Sequence, residues 1–273
     1  MSFFGRLRER ERELDSWLCV GLDPMRERLP RGLPAGIAGL REFLTAIVEA
    51  TNGLALAYKA NLAYYLREGP EGLQLLVELA QVLAPGLPLV LDAKFGDVRH
   101  TAQVYAAFAF ETLGFSAVTV CPYVGAEAVE PFLLHADRGV FVLGRTSNPR
   151  SGLFQDHAEL WLRVLDEARG WNAKGNVGVV IGATHPQELA RARERAPELP
   201  FLIPGVGAQG GELAAAAQYG PTTDGTPPLV NVGRSILYAS ADAGFAAAAQ
   251  QAAARYRDEL RRARDASPRG NFL

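Results

Sequence analysis

Leu89-Val90-Leu91-Asp92-Ala93-Lys94-Phe95-Gly96-Asp97 is the stretch on which the reading of this chain turns. Its apolar start suits a buried strand, and Asp92, Lys94 and Asp97 follow abruptly, so charge begins where the strand should leave the core. Asp92 and Lys94 are two residues apart and point to one side of an extended chain. A short turn then brings in Asp97. The stretch predicts a carboxylate–ammonium–carboxylate cluster at a strand end.

Working outward, seven further short apolar runs read as strands: residues 17–22, 54–58, 117–120, 139–143, 177–181, 201–203 and 229–232. Helical spacing separates them at 39–51, 72–83, 100–113, 158–168 and 186–195, with an N-terminal helix over 3–15 and an Ala-rich one over 241–263. No shift in composition marks a linker. Eight strands alternating with helices predict an α/β fold of the (β/α)8 TIM-barrel type, a single domain over residues 1–273 with a short loose tail from Ser267 onward. A doubly wound sheet is the alternative that the same alternation allows.

Composition narrows the function classes. A 273-residue chain with 48% hydrophobic residues and a mean hydropathy of +0.01 can build a large core. Its net charge of −2 gives no basic excess for nucleic acid or an anionic membrane. The Arg- and Glu-rich start lacks a signal-peptide core, and no apolar run approaches a membrane span. Cys19 and Cys121 read as buried reduced thiols, which fits a cytoplasmic location. The four histidines are scattered without metal-ligand spacing, so no metal site is expected. Of 28 basic residues only Lys59, Lys94 and Lys174 are lysines. A lysine at a strand end is then less readily explained as generic solvation, and amine chemistry needs an ammonium that can release its proton.

In a (β/α)8 barrel the active face lies at the C-terminal strand ends. Those ends carry Asp23, Lys59, the Asp92-Lys94-Asp97 cluster, Ser147, Gln209 and Arg234. Any single charge there could be a structural ion pair; both signs gathered on one face favour a site. Gly205-x-Gly207-x-x-Gly210 matches a dinucleotide fingerprint but follows the seventh strand instead of opening a first βα unit. The loops after strands seven and eight of such barrels often hold phosphate. Backbone N–H groups, the Gln209 amide and the Arg234 guanidinium suit that oxyanion.

Asp92-x-Lys94-x-x-Asp97, followed by Val98 and Thr101, resembles the signature of the orotidine 5′-phosphate decarboxylase family. Asp23, Lys59, Thr146-Ser147-Asn148-Pro149, Pro204-Gly205-Val206-Gly207-Ala208-Gln209 and Gly233-Arg234 agree with it in order. The long first βα connection and Asn148-Pro149 resemble its longer bacterial subgroup. The resemblance implies a cofactor-free (β/α)8 homodimer that makes uridine 5′-phosphate in pyrimidine biosynthesis, with sites shared between subunits. It implies Lys94 as proton donor, Asp92 beside the substrate carboxylate, and Asp97 and Thr101 serving the partner's site. Asp23 and Lys59 would hold ribose hydroxyls and the charge network, Ser147 and Pro204 the pyrimidine, and Gln209, Gly233 and Arg234 the phosphate.

The chemistry fits fixed charge. Loss of CO2 from C6 leaves a poorly delocalised carbanion, which an ammonium can stabilise and then protonate. Relatives that act on sugar phosphates share Asp-x-Lys-x-x-Asp but use magnesium, with an acidic ligand where this chain has Lys59. A non-catalytic phosphate-binding barrel is the rival from a different class.

Overall fold

A computed structural model describes residues 1–184, 186–207 and 212–267. Eight parallel strands close into a barrel in chain order: β1 (Leu18–Gly21), β2 (Ala57–Asn61), β3 (Leu89–Phe95), β4 (Ala117–Val120), β5 (Gly139–Arg145), β6 (Val177–Ile181), β7 (Phe201–Ile203) and β8 (Leu229–Val232). Closure excludes the doubly wound alternative. Outward-facing Val20, Tyr58, Leu91, Val118, Val142 and Val230 belong to the large core between the sheet and its surrounding helices. Among the described residues no helix is long and apolar enough to cross a membrane.

The inward set explains where the polar chemistry begins. Cys19, Ala57, Val90, Ala117, Phe141, Val180, Leu202 and Leu229 form the apolar interior. Two residues further along each strand the same inward phase reaches Gly21, Lys59, Asp92, Thr119, Leu143 and Asn231. The barrel is thus dry at its N-terminal end and polar at its C-terminal end. The N-terminal helix Phe3–Leu14 stoppers the dry end. Phe3, Phe4 and Phe141 meet edge to face, with ring centroids 5.3–6.0 Å apart. Gly139 leaves room for this, since a Cβ there would lie 2.5 Å from the Phe3 ring. Arg261 and Arg264 of the last long helix (Phe245–Asp265) bind the main chain and carboxylate of Asp15, fastening the stopper at its other end.

Three sequence expectations are corrected. The second strand runs Ala57–Asn61, not 54–58, so Lys59 is an interior strand residue rather than a residue beyond its end. The third and fifth strands continue past their apolar runs to Phe95 and Arg145: β3 carries Asp92 and Lys94 into the cavity lining, and β5 ends, past a shift of register, on a buried Arg145 bonded to the loop that follows. Cys19 is buried, and burial pushes its thiol up to about 12, but Cys121 is only half-buried. The tail from residue 268 lies outside the described residues.

Phe3→Ala should remove the centre of the stopper and lower stability by about 3–5 kcal/mol. Urea unfolding of the variant beside the parent chain measures this.

Candidate active site

A cavity of about 420 Å³ opens at the C-terminal end of the barrel. Its lining includes Asp23, Lys59, Asn61, Asp92, Lys94, Thr119, Ser147, Pro204, Gly233 and Arg234. At its floor the Asp92 carboxylate meets four donors. Oδ2 accepts from Lys59 Nζ at 3.0 Å and Asn61 Nδ2 at 3.4 Å; Oδ1 accepts from Lys94 Nζ at 2.6 Å and Thr119 Oγ1 at 3.0 Å. Lys59 also lies 3.8 Å from Asp23, whose other oxygen accepts the Asn61 backbone N–H at 3.0 Å.

Burial by itself would push the Lys59 ammonium down. The carboxylates of Asp23 and Asp92 outweigh it and hold Lys59 above its ordinary value. Burial would likewise push Asp92 up, but the charges and hydrogen bonds of Lys59 and Lys94 hold it well below the usual carboxylate range. Lys59 and Asp92 are therefore held charged; Lys59 is almost wholly buried, whereas the side chain of Lys94 is 46% exposed toward the cavity.

Lys94 reaches this place by a kink rather than by extended alternation. β3 pairs Leu91 with Val118 and next Phe95 with Val120, so Asp92, Ala93 and Lys94 face Thr119 alone on β4. Lys94 takes a φ of +53°, the left-handed region, which costs a residue with a Cβ about 1–2 kcal/mol. Its backbone N–H donates to Thr119 Oγ1 at 2.9 Å.

The three-charge cluster expected from the sequence is not assembled within one chain. Asp97 accepts the N–H of Val98 at 2.7 Å, just before the helix Arg99–Ala107. Among the described residues Lys94 forms its ion pair with Asp92, and neither Asp97 nor Thr101 lines the cavity. The turn that follows Lys94 carries Asp97 away, which the spacing of the motif does not reveal.

The rim is built from loops. Thr146 and Ser147 follow β5. Gln155 holds Thr146, accepting its N–H and donating to its hydroxyl, both at 3.0 Å. Buried Arg145 in turn donates to Gln155 at 3.2 Å. After β7, Gly205 and Gly207 take φ values of +99° and +82°, which favour glycine and turn the backbone around the cavity edge. Gln209 lies outside the described residues, as does Gly210 of the fingerprint. Exposed Arg234 opens the short turn of helix after β8.

Sequence reading missed Asn61, Tyr64, Thr119 and Asn231 as lining residues. Three carried a usable signal. Thr119 and Asn231 are single polar residues within four-residue apolar strands, in the inward phase. Asn61 shares the phase of Lys59, which a correct strand boundary would have exposed.

Residues 16–250 match the model of the "Orotidine 5′-phosphate decarboxylase / HUMPS family". The orotidine 5′-phosphate decarboxylase of Thermomicrobium roseum is 50% identical over 271 residues, covering 97% of this chain and 96% of that one. The solved OMP decarboxylase of Leishmania donovani is 39% identical with a TM-score of 0.84, over 97% of this chain and all of that one. The UMP synthase of the same organism is 40% identical with a TM-score of 0.86; this chain spans 57% of its length.

The lowered titration range of Asp92 sets a pH dependence. An unfolded aspartate titrates near ~3.9, so the native carboxylate stabilises the fold above that value and loses its contribution as pH falls further. The stability difference between the parent chain and Asp92→Asn should hold steady from pH 8 to 6 and shrink toward pH 3, measured by urea unfolding at each pH.

Proposed function

The chain belongs to the orotidine 5′-phosphate decarboxylase / HUMPS family, and from that premise we propose how this cavity converts orotidine 5′-phosphate into uridine 5′-phosphate and CO2. The observation that carries the reading is the Lys59–Asp92–Lys94 array: an ionised, largely buried carboxylate beside an ammonium that still reaches the cavity. The bond from C6 to the carboxylate breaks, and its electron pair stays on C6. Lys94 stabilises that pair and then gives it a proton, becoming an amine that solvent reprotonates. Asp92 fixes the direction of the Lys94 ammonium, and Lys59 keeps Asp92 charged. Arg234 with the glycine-lined edge, and Gln209, takes the phosphate. Ser147 and Pro204 hold the pyrimidine, and Asp23 a ribose hydroxyl. Gripping the remote phosphate puts binding energy to use at the reacting carbon.

We read the chain as a single barrel domain that works as a cytoplasmic homodimer with shared sites. Asp97 and Thr101 stand outside their own chain's cavity lining, beside the exposed apolar side chains of Val98 and Val104. Such a patch suits a self-complementary contact that carries both polar residues to a second cavity. Lys59 occupies the strand position where the magnesium-using relatives would need an acidic ligand, which disfavours the sugar-phosphate reading.

The decisive measurement is spectrophotometric. With orotidine 5′-phosphate and EDTA, turnover to uridine 5′-phosphate should be full; dependence on added magnesium would favour the sugar-phosphate rival. Lys94→Ala should lower kcat by at least about a thousandfold with the fold retained, the scale of losing a group that acts only in the transition state. Mixing inactive Lys94→Ala with inactive Asp97→Ala should restore part of the activity through heterodimers. No recovery despite confirmed subunit exchange would rule out shared sites.

A further inference from the structure

We propose that Thr119 is a positioning residue for the reaction, setting Lys94 against Asp92 through a single hydroxyl oxygen. The proposal rests on the reading of Lys94 and Asp92 as the reacting pair.

Thr119 is buried on β4, with 1% of its surface exposed. Three residues of β3 bulge opposite it, so the regular ladder offers no β4 carbonyl to the Lys94 N–H. The Thr119 oxygen takes that N–H at 2.9 Å and lies 3.0 Å from Asp92 Oδ1. The directions of both bonds follow from the chemistry. A backbone N–H can only donate, and an ionised carboxylate can only accept, so the one hydroxyl proton goes to Asp92 and a lone pair goes to Lys94. The same Oδ1 accepts the Lys94 ammonium at 2.6 Å. Main chain, hydroxyl, carboxylate and ammonium therefore form a closed ring from Lys94 back to Lys94. The ring holds a lysine in the left-handed region, at a φ of +53°, where its ordinary preference would be to relax. If the hydroxyl is removed, the Lys94 N–H loses its partner inside the bulge and Asp92 loses one of its four donors. Relaxation of the kink would then move the ammonium relative to the reacting carbon.

Thr119→Val keeps the shape of the side chain and deletes the hydroxyl; Thr119→Ser keeps the hydroxyl. Turnover of orotidine 5′-phosphate should fall on the order of 10–100-fold in kcat for Thr119→Val, the scale of a misplacement near one ångström, with KM within about threefold. Thr119→Ser should stay within about threefold of the parent kcat. Thr119→Ala replaces the valine variant if that fails to fold, and calorimetric binding of uridine 5′-phosphate checks that the cavity is intact. Parent kcat in a folded hydroxyl-free variant, an equal loss in Thr119→Ser, or a loss confined to KM would overturn the proposal. Lys94→Ala is assayed alongside. If it keeps full turnover, the underlying reading fails; if it is inactive while Thr119→Val is at parent kcat, only the role of Thr119 fails.

Discussion

Burying a carboxylate is prohibitive unless every lone pair it turns inward finds a donor, and Asp92 is where this protein meets that constraint. Its four donors come from three neighbouring strands: Lys59 and Asn61 from β2, Lys94 from β3 itself and Thr119 from β4. The arrangement fixes register as well as charge. Asn61 pairs directly across from Asp92 in the ladder, and slipping β2 by one residue would turn Lys59 and Asn61 outward into the apolar layer. Fold and site are therefore not separable along these strands. The residues that ionise the cavity also specify how its walls align.

The same constraint explains why the barrel is divided along its axis. Inward positions at the N-terminal end are filled by small and aliphatic side chains and by the aromatic stopper of Phe3, Phe4 and Phe141. That end contributes packing and excludes water from below. One inward step higher, the residues change to Lys59, Asp92, Thr119 and Asn231. The low polarity beneath them strengthens each charge interaction above, and the partner charges outweigh burial, so that Lys59 is held above its ordinary range and Asp92 below.

Much of this was legible before any coordinates. Strands β4, β6, β7 and β8 follow their apolar runs residue for residue, because the polar residues that reach the cavity from them, Thr119 and Asn231, stand singly inside runs that resume with a buried valine. β2 and β3 differ from their apolar runs for one reason: polar side chains in the inward phase, Lys59, Asn61 and Asp92, look like the end of a strand when they are its continuation into a cavity; β5 runs on past a shift of register to a buried arginine that no apolar run announces. The motif correctly identified Asp92 and Lys94 as neighbours, but by the wrong geometry, since spacing alone cannot foresee a bulge or a left-handed lysine. It also could not show that the turn at Gly96 directs Asp97 away from its own chain's cavity. Thr119 escaped notice because a lone threonine in an apolar strand is usually only a good strand former.

The charge pattern of the cavity argues for a substrate with two separated anionic groups. Lys59, Lys94 and Arg234 line it against Asp23 and Asp92. Lys59 is almost wholly buried and paired with the two aspartates, so its charge is already answered within the protein. Among the described lining residues, the exposed cations are Lys94 on β3 and Arg234 after β8, three strands apart around the closed ring. One ligand meeting both must span the mouth, with one anionic group at each end. Orotidine 5′-phosphate has that form, with its phosphate remote from the carboxylate on C6. An arginine suits the end where charge is only held, because its planar fork binds phosphate oxygens and does not give up a proton. A lysine suits the end where, on the proposed reading, the negative charge moves onto carbon and must be answered by a proton. The two cations are not interchangeable, and on the proposed reading the asymmetry between them sets the direction in which the substrate lies.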